Sequence, residues 1–568
     1  MDQARRSPVG IRSLAQARGL LAASILILSA PHALARQGGF PGTGGPGGNF
    51  DWEVPAGQVV VFDTTQTTIV GGPHFLQTTQ YVVKNGILDL RNLRIGEGAV
   101  LRIQGPNPLY VLATGRVEVL GTLDASGSSN LGVNTLNTTF LPEPGSPGQA
   151  GGGQGGTGSP LTSMSSPRGG NGFGAFGVPD GGGVGGEAGW SNFANVDTRR
   201  SGGGGGGRFG ADQPQTLGPV GLFGLYDQAF IGLDAENGFP NKNPQAEGAI
   251  TGASGPFGGR IGPSPFVDGD PTNDFWGILF DPATGLTQPG ELLRPWAGAG
   301  GGGGGDASLV FTGSWPPPWN PGGDEKGAGG GGGGGSVTVL SLGTIQVGPG
   351  GVLRARGGSG GGGENTFFLD RVGGGSGGGS GGHVILHSAS KIDLSLAGGA
   401  GGVALLATGG EGGAGKQNAG GAFLGPSGIK EQLPHEDACP PGYPTAGPNA
   451  CKGHVDGAGG DGGPGVVQLH APGGPANILL PAGVTLDMLS KPLPVCGSGG
   501  CYLLPLTSAR SGEGADAIEP PASELDVLLS TDGALPPDDR AGPDALRGVL
   551  GPANSPLSLE RLRLPLRY

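Results

Sequence analysis

Short stretches in which apolar and polar residues alternate recur along the chain, separated by tracts of glycine. They lie at residues 109–127, 336–358, 383–402 and, more weakly, 466–483. In the first, Val117 and Val119 share one side; in the third, Ile392, Leu394 and Leu396 repeat the pattern. A period of two is typical of a half-buried β-strand. The pattern predicts a repeated unit made of a short strand, a turn, a second short strand and a glycine tract.

One such unit cannot bury its apolar face by itself. Stacking successive units about 4.8 Å apart pairs their strands and closes a continuous narrow core. We therefore predict an all-β fold, a right-handed parallel β-helix or solenoid with long glycine-rich loops. An antiparallel β-sandwich is the alternative. It would require tight two-residue hairpin turns between strands, and these are not the main type of connection in this sequence.

Glycine dominates the composition, with 131 Gly and 51 Pro among 568 residues. Taken in bulk, this content is typical of low-complexity chains. The longest runs, at 202–207, 300–305 and 329–335, nevertheless adjoin the strand units. Two interpretations stay open: loops that project from one side of the solenoid, or extended segments that pack side by side with their backbone groups bonded to neighbours.

The first residues have the organisation of an export signal. Residues 1–18 carry four arginines, residues 19–30 are apolar, and Ala33-Leu34-Ala35 is a small-x-small cleavage site. The apolar run is shorter than the about 20 residues that a permanent anchor needs. We expect an exported, extracellular or cell-surface protein of the bacterial envelope, without a transmembrane helix in the mature chain.

Changes in composition divide the chain into consecutive parts. These are a signal peptide (1–35), an N-terminal segment with the first strands (36–84), the first solenoid units (85–130), a Gly/Pro-rich loop region (131–216), an irregular insertion containing aromatic residues (217–299), glycine-rich solenoid repeats (300–425), a last unit with two Cys-closed loops (426–505) and an acidic Pro-rich tail (506–568).

Charge and cysteine content limit the classes of partner and site. The formal net charge of −13 argues against a nucleic-acid partner. The four cysteines, in an exported chain, predict disulfides, and proximity favours Cys439 with Cys451 and Cys496 with Cys501. A four-cysteine zinc site is the alternative, but the spacings do not match the usual two-residue knuckle.

One acidic turn is a candidate metal site. Asp268, Asp270 and Asp274 alternate with Gly, Pro and Asn, and their carboxylates could supply hard oxygen ligands for calcium. An acidic surface turn without a metal explains the same residues. We predict no other cofactor.

Several fragments look catalytic but lack the surrounding structure that the chemistry needs. Residues 410–416 (GEGGAGK) have Gln417 where a phosphate-binding loop needs Ser or Thr. The serines in GGSGG, Ser359, Ser376 and Ser380, have glycine on both sides, whereas a nucleophile elbow needs a strand and then a helix. We therefore predict no catalytic residues.

The histidines of HVILH, His383 and His387, lie too far apart on a strand to share a metal ion. Because the sequence LHS aligns with LHA, His387 and His470 would form a short ladder if their units stack. Satisfied surface histidines are the favoured interpretation, and the ladder is the alternative.

Residues 332–363 (GGGGSVTVLSLGTIQVGPGGVLRARGGSGGGG) carry a resemblance to known proteins. Over about residues 85–485 the chain resembles glycine-rich exported bacterial proteins of uncharacterised function with predicted β-solenoid repeats, and loosely resembles surface adhesins. The resemblance implies a structural or adhesive role, with cell-envelope or extracellular polysaccharide as partner and no assigned oligomeric state. The alternative is a carbohydrate-binding or carbohydrate-cleaving β-helix protein that uses Trp276, Trp315 and Trp319.

Overall fold

The computed structural model is mostly β-sheet with very few helical residues. It describes residues 50–74, 80–133, 142–159, 168–186, 189–192, 202–210, 275–281, 286–290, 292, 294–305, 307–310, 326–363, 373–399, 402–413, 458–495 and 502–503. The predicted signal peptide, Asp268, Asp270, Asp274, the four cysteines, Trp315 and Trp319 lie outside these residues.

Three sheets share one core, and successive passes of the chain add one strand to each. Sheet A orders its six strands as β1 (Asp51–Val54), β6 (Asn92–Ile95), β9 (Val117–Val119), β16 (Ile345–Val347), β19 (Ile392–Asp393) and β22 (Ile478–Leu479). Sheet B orders β2 (Val59–Asp63), β7 (Val100–Gln104), β10 (Thr122–Asp124), β17 (Val352–Arg354), β20 (Leu405–Leu406) and β23 (Ser490–Lys491). All pairs in sheets A and B are parallel.

Sheet C is mixed. It orders β21 (Val466–His470), β18 (His383–Ser388), β15 (Ser336–Ser341), β8 (Leu109–Ala113), β5 (Ile87–Leu90), β4 (Gln80–Lys84) and β3 (Gln66–Val70). The last two pairs, β5 with β4 and β4 with β3, are antiparallel.

Smaller elements lie outside the three sheets. β11 (Gly189–Asn192) pairs in parallel with β14 (Ala307–Val310), whereas β12 (Ile278–Asp281) pairs antiparallel with both β13 (Leu286–Pro289) and β24 (Tyr502–Leu503). Helical elements within the described residues include two 3₁₀ turns, Ala175–Gly177 and Gly474–Asn477, and a short α-helix, Leu486–Leu489.

The apolar positions predicted from alternation form the shared core. Val117, Val119, Ile392 and Leu394 are buried in it. Leu396 is the exception: it follows the same pattern but is 54% exposed, because the chain turns after β19 instead of continuing as a strand. Each unit also holds three short strands, one per sheet, where the sequence predicted two.

The prediction of a right-handed parallel β-helix with long glycine-rich loops is wrong. The sheets are not uniformly parallel, since antiparallel pairs occur in sheet C and around β12. The antiparallel sandwich is not found either, because sheets A and B are wholly parallel. The glycine tracts are not loops: residues 202–207, 300–305 and 329–335 are buried throughout.

The glycine tracts pack together as an ordered body, the glycine bundle. It consists of residues 126–133, 143–159, 168–174, 181–186, 202–209, 297–305, 326–335, 355–363, 373–382, 407–413 and 458–465. Some of its segments adjoin the sheets directly: residues 355–363 follow β17 of sheet B, and residues 373–382 lead into β18 of sheet C.

Candidate functional site

Residues 300–305 show how the glycine bundle is held together. The amides of Gly302 and Gly305 donate to carbonyl oxygens of residues 202–205, at 2.8 and 3.0 Å. Those of Gly301 and Gly304 donate to residues 328–331, and those of Gly300 and Gly303 to residues 170–173. Hydrogen bonds therefore point to three neighbours in turn, which matches the three residues per turn of a polyproline-II conformation.

The spacing between these segments excludes side chains. A Cβ built on Gly304 would lie 1.9 Å from the carbonyl oxygen of Gly374, and one on Gly303 would lie 1.9 Å from that of Thr157. Glycine is thus required for close approach of the backbones, and neighbouring segments satisfy the donors and acceptors that burial would otherwise leave unpaired.

The end of the bundle away from the sheets is a common exit and entry point of the chain. We call it the far end, defined by Val133, Ser159, Gly186, Gly202, Gly305, Gly363, Gly374 and Gly413. Gly305 connects two others directly, because its amide donates to the carbonyl of Gly202 and its carbonyl accepts from the amide of Gly374. β11 and β14 begin just beyond Gly186 and Gly305.

The serines of the GGSGG fragments have structural partners. Ser376 Oγ accepts from the amide of Gly361 at 2.7 Å and donates to the carbonyl of Gly329 at 2.6 Å, whereas Ser380 Oγ accepts from the amide of Ala299 at 2.8 Å. Both side chains are buried. Ser376 and Ser380 therefore bond the glycine segments to one another.

A buried polar network lies on the outer face of sheet C, beneath Trp276, Leu292 and Trp296. We call it the histidine network: His383, His387, His470 and Gln468, with the backbone of Trp276 and Trp296. β18 and β21 place His387 directly opposite His470, so the predicted ladder is confirmed. Their rings meet edge to face with centroids 5.8 Å apart. The favoured prediction of surface histidines is wrong, because all three imidazoles are buried.

The hydrogen bonds of this network fix the proton positions. The amide of Trp296 donates to His383 Nδ1 at 3.1 Å, so His383 carries its proton on Nε2, which donates to Gln468 Oε1. The amide nitrogen of Gln468 donates to the carbonyl of Trp276 at 3.0 Å and to His470 Nε2 at 3.2 Å. His470 therefore accepts at Nε2 and carries its proton on Nδ1.

Burial keeps these imidazoles neutral. It lowers the pKa of His383 to about 3, against the opposing effect of its hydrogen bond to Gln468, and lowers the pKa of His387 to about 3. Burial, followed by the nearby His387 and His383, lowers the pKa of His470 well below its ordinary value. The cause is desolvation, because burial removes the water that would otherwise stabilise a charged imidazole.

Charged side chains on sheets A and B pair along the register. Arg94 lies between Glu53 and Glu118, with its Nη1 2.7 Å from Glu118 Oε2 and its Nε 3.4 Å from Glu53 Oε1. On sheet B, Arg354 Nη2 lies 2.7 Å from Asp124 Oδ2. The carboxylate partner of Arg354 was not visible in the sequence because the two residues are 230 positions apart.

Neither the geometry of the described residues nor similarity to known proteins assigns a chemical activity to the chain. Within the described ranges, no set of three or more His, Cys, Asp or Glu side chains is placed to hold a metal ion. Nor does that part of the chain contain a helix long and apolar enough to cross a membrane. No family model, curated protein or solved structure matches the chain.

Proposed function

We propose that the chain is an exported structural or adhesive protein of the cell surface or envelope. The glycine bundle is its rigid support. The observation that carries the proposal is the far end. There, backbone hydrogen bonds hold together segments that are distant in sequence, such as Gly202, Gly305 and Gly374.

The chemistry of the bundle suits a supporting role. Its interior consists of backbone groups bonded to one another, and the pair Gly305–Gly202 shows that this order extends to the last residue of a tract. Binding residues are commonly carried by connecting segments that a rigid scaffold holds in position. Ordering the ends in advance reduces the entropy lost on binding.

The partner that fits this proposal is cell-envelope or extracellular polysaccharide. Export is part of the same proposal and rests on residues 1–35, with Ala33-Leu34-Ala35 as the cleavage site. Edman sequencing of the secreted protein tests it: a first residue at Arg36 supports export, and an uncleaved chain confined to the cytoplasm overturns it.

The adhesive role is tested with fluorescently labelled mature protein, residues 36–568, added to cells of the producing organism and to its isolated cell-wall polysaccharide. Saturable association that free polysaccharide competes for supports the proposal. Protein that stays in the supernatant and is not recovered in the envelope fraction overturns it. Saturable binding to one soluble glycan, lost in Trp315→Ala, would instead favour the carbohydrate-binding alternative.

A further inference from the structure

The histidine network joins two parts of the molecule that are distant in sequence. One is the outer face of sheet C, and the other is the covering segment, by which we mean residues 275–281, 286–290, 292 and 294–296. Trp276, Leu292 and Trp296 of the covering segment are buried against Leu340 and Ile385 of sheet C. The polar part of this contact runs through His383 and Gln468 alone among the bonds described above.

Each bond requires a neutral imidazole in one particular tautomer. His383 Nδ1 accepts from the amide of Trp296 and would lose this role on gaining a proton. His470 Nε2 accepts from the amide nitrogen of Gln468, and a proton there would set two donors against each other. Rotating the Gln468 amide does not solve this, because its oxygen already accepts from His383 and from the amide of Trp276.

Among the residues that the structure describes, the charged and titratable groups next to the network place no carboxylate beside an imidazole. Arg294 of the covering segment stacks on Phe176 and Trp296, each 4.3 Å away, and Arg208 lies next to Phe209, whose ring meets that of His383. Tyr110 on β8 is the remaining titratable neighbour, and burial raises its pKa to about 12. Asp89 is aligned with His387 across sheet C, but it lies three strands away, on β5.

We propose that this contact is an acid-sensitive latch: protonation of His383, His387 and His470 releases the covering segment from sheet C while the shared core and the glycine bundle stay folded. Release exposes an apolar sheet face that includes Leu112, Leu340 and Ile385. The device is a conformational one, independent of the adhesive role.

Linkage sets the direction and steepness of the response. Each imidazole is neutral in the closed state and titrates near its ordinary 6.5 once released. The closed state is therefore most favoured above pH 6.5 and is progressively lost as the pH falls below it. Each imidazole that takes up a proton increases the equilibrium constant for release of the covering segment by up to about tenfold per unit decrease in pH. Three imidazoles together increase it by up to about a thousandfold per unit.

Hydrogen exchange of the mature chain between pH 7.5 and 4.5, corrected for intrinsic rates, tests the latch. We expect protection of the Trp276, Leu292 and Trp296 amides to fall with a limiting slope approaching three protons, while amides of β8 and of residues 300–305 keep theirs. A pH-independent protection of the covering segment, or a loss shared equally by β8 and the bundle, would overturn the proposal.

A double variant measures the proton count. His387→Leu with His470→Leu keeps His383 and should reduce the slope from three protons towards one. His74→Gln is the matched control, because His74 is an exposed histidine bonded to Glu53, and its slope should equal that of the wild type. Should the double variant not fold, the wild-type slope decides: a slope of one or less contradicts a three-histidine latch.

Discussion

Gly301 and Gly377 approach so closely that a Cβ on Gly301 would lie 2.1 Å from the carbonyl oxygen of Gly377. The amide of Gly377 at the same time donates to the carbonyl of Gly302 at 2.8 Å. Two segments distant in sequence are thus in backbone contact, and the contact depends on the absence of a side chain.

Gly301→Ala is therefore expected to destabilise the fold. The obstructing atom is a backbone oxygen that cannot rotate away, so the segments must separate and weaken hydrogen bonds on both sides. Overpacking of this kind costs about 2 kcal/mol. Gly402→Ala is the control, since its nearest obstruction, the Gly399 oxygen, is 3.7 Å away. Chemical denaturation of both variants checks this, and equal midpoints would contradict ordered packing of the tracts.

The strand positions were predictable from the sequence, whereas the arrangement of the glycine tracts was not. Alternation at Val117, Val119, Ile392 and Leu394 reports burial because side chains of one face share one environment. A run of glycines has no such pattern, so it does not reveal which backbone will be its neighbour. The tracts are ordered by contacts between segments distant in sequence. Their composition alone indicates a low-complexity, disordered chain.

The histidine network shows the same division. The matching sequences around His387 and His470 predicted their alignment, because stacked units repeat their register. Their burial was not predictable, since it arises from segments distant in sequence that cover the outer face of sheet C, among them Phe209 and Trp296. The network's central group is Gln468, a residue without a distinctive pattern, which bonds the backbone of Trp276.

The ion pair of Asp124 and Arg354 is expected to contribute stability that depends on pH. Burial alone would raise the pKa of Asp124, but bonds from Arg354 and Ser126 hold it below its ordinary 3.8. The contribution is therefore present above pH 3.8 and is lost as the pH falls below it. Arg354→Gln should lower the free energy of unfolding at pH 6 by about 1 kcal/mol, since the pair is partly exposed.

Arg356→Gln is the matched control for this pair. Arg356 lies two residues further along and is exposed, with its Nε donating to Thr408 Oγ1 at 3.1 Å. Its replacement should change stability by less than about 0.5 kcal/mol. Urea unfolding at pH 6 and pH 3 separates the two: the deficit of Arg354→Gln should shrink at the lower pH, and a constant deficit would assign it to packing.

Two of the six tyrosines are expected to titrate late. Burial raises the pKa of Tyr81 and of Tyr110 to about 12, from the ordinary 10.0. Because both remain neutral in the folded chain at a pH where the unfolded chain ionises them, stability should fall as the pH rises above 10. Absorbance at 295 nm should show a late phase that disappears in urea and diminishes in Tyr81→Phe and Tyr110→Phe. A single phase near pH 10 would contradict their burial.

The far end is expected to tolerate a shorter connection between Gly363 and Gly373. A Cβ on Gly363 would lie 1.9 Å from the carbonyl oxygen of Gly373, so the two residues are adjacent in space. Replacing residues 364–372 with Asn-Gly-Asn should leave the midpoint of denaturation nearly unchanged, because loop-closure entropy varies slowly with length.

A deletion inside the bundle provides the contrast. Removing residues 360–363 together with 373–376 takes away the serine that bonds Gly361 and Gly329, and with it several backbone hydrogen bonds. This variant should unfold at clearly lower denaturant, although it shortens the chain by only two residues more than the shortened connection does. If the two variants are equally destabilised, then Gly363 and Gly373 do not end a self-supporting segment, and the far end is not the boundary of the ordered bundle.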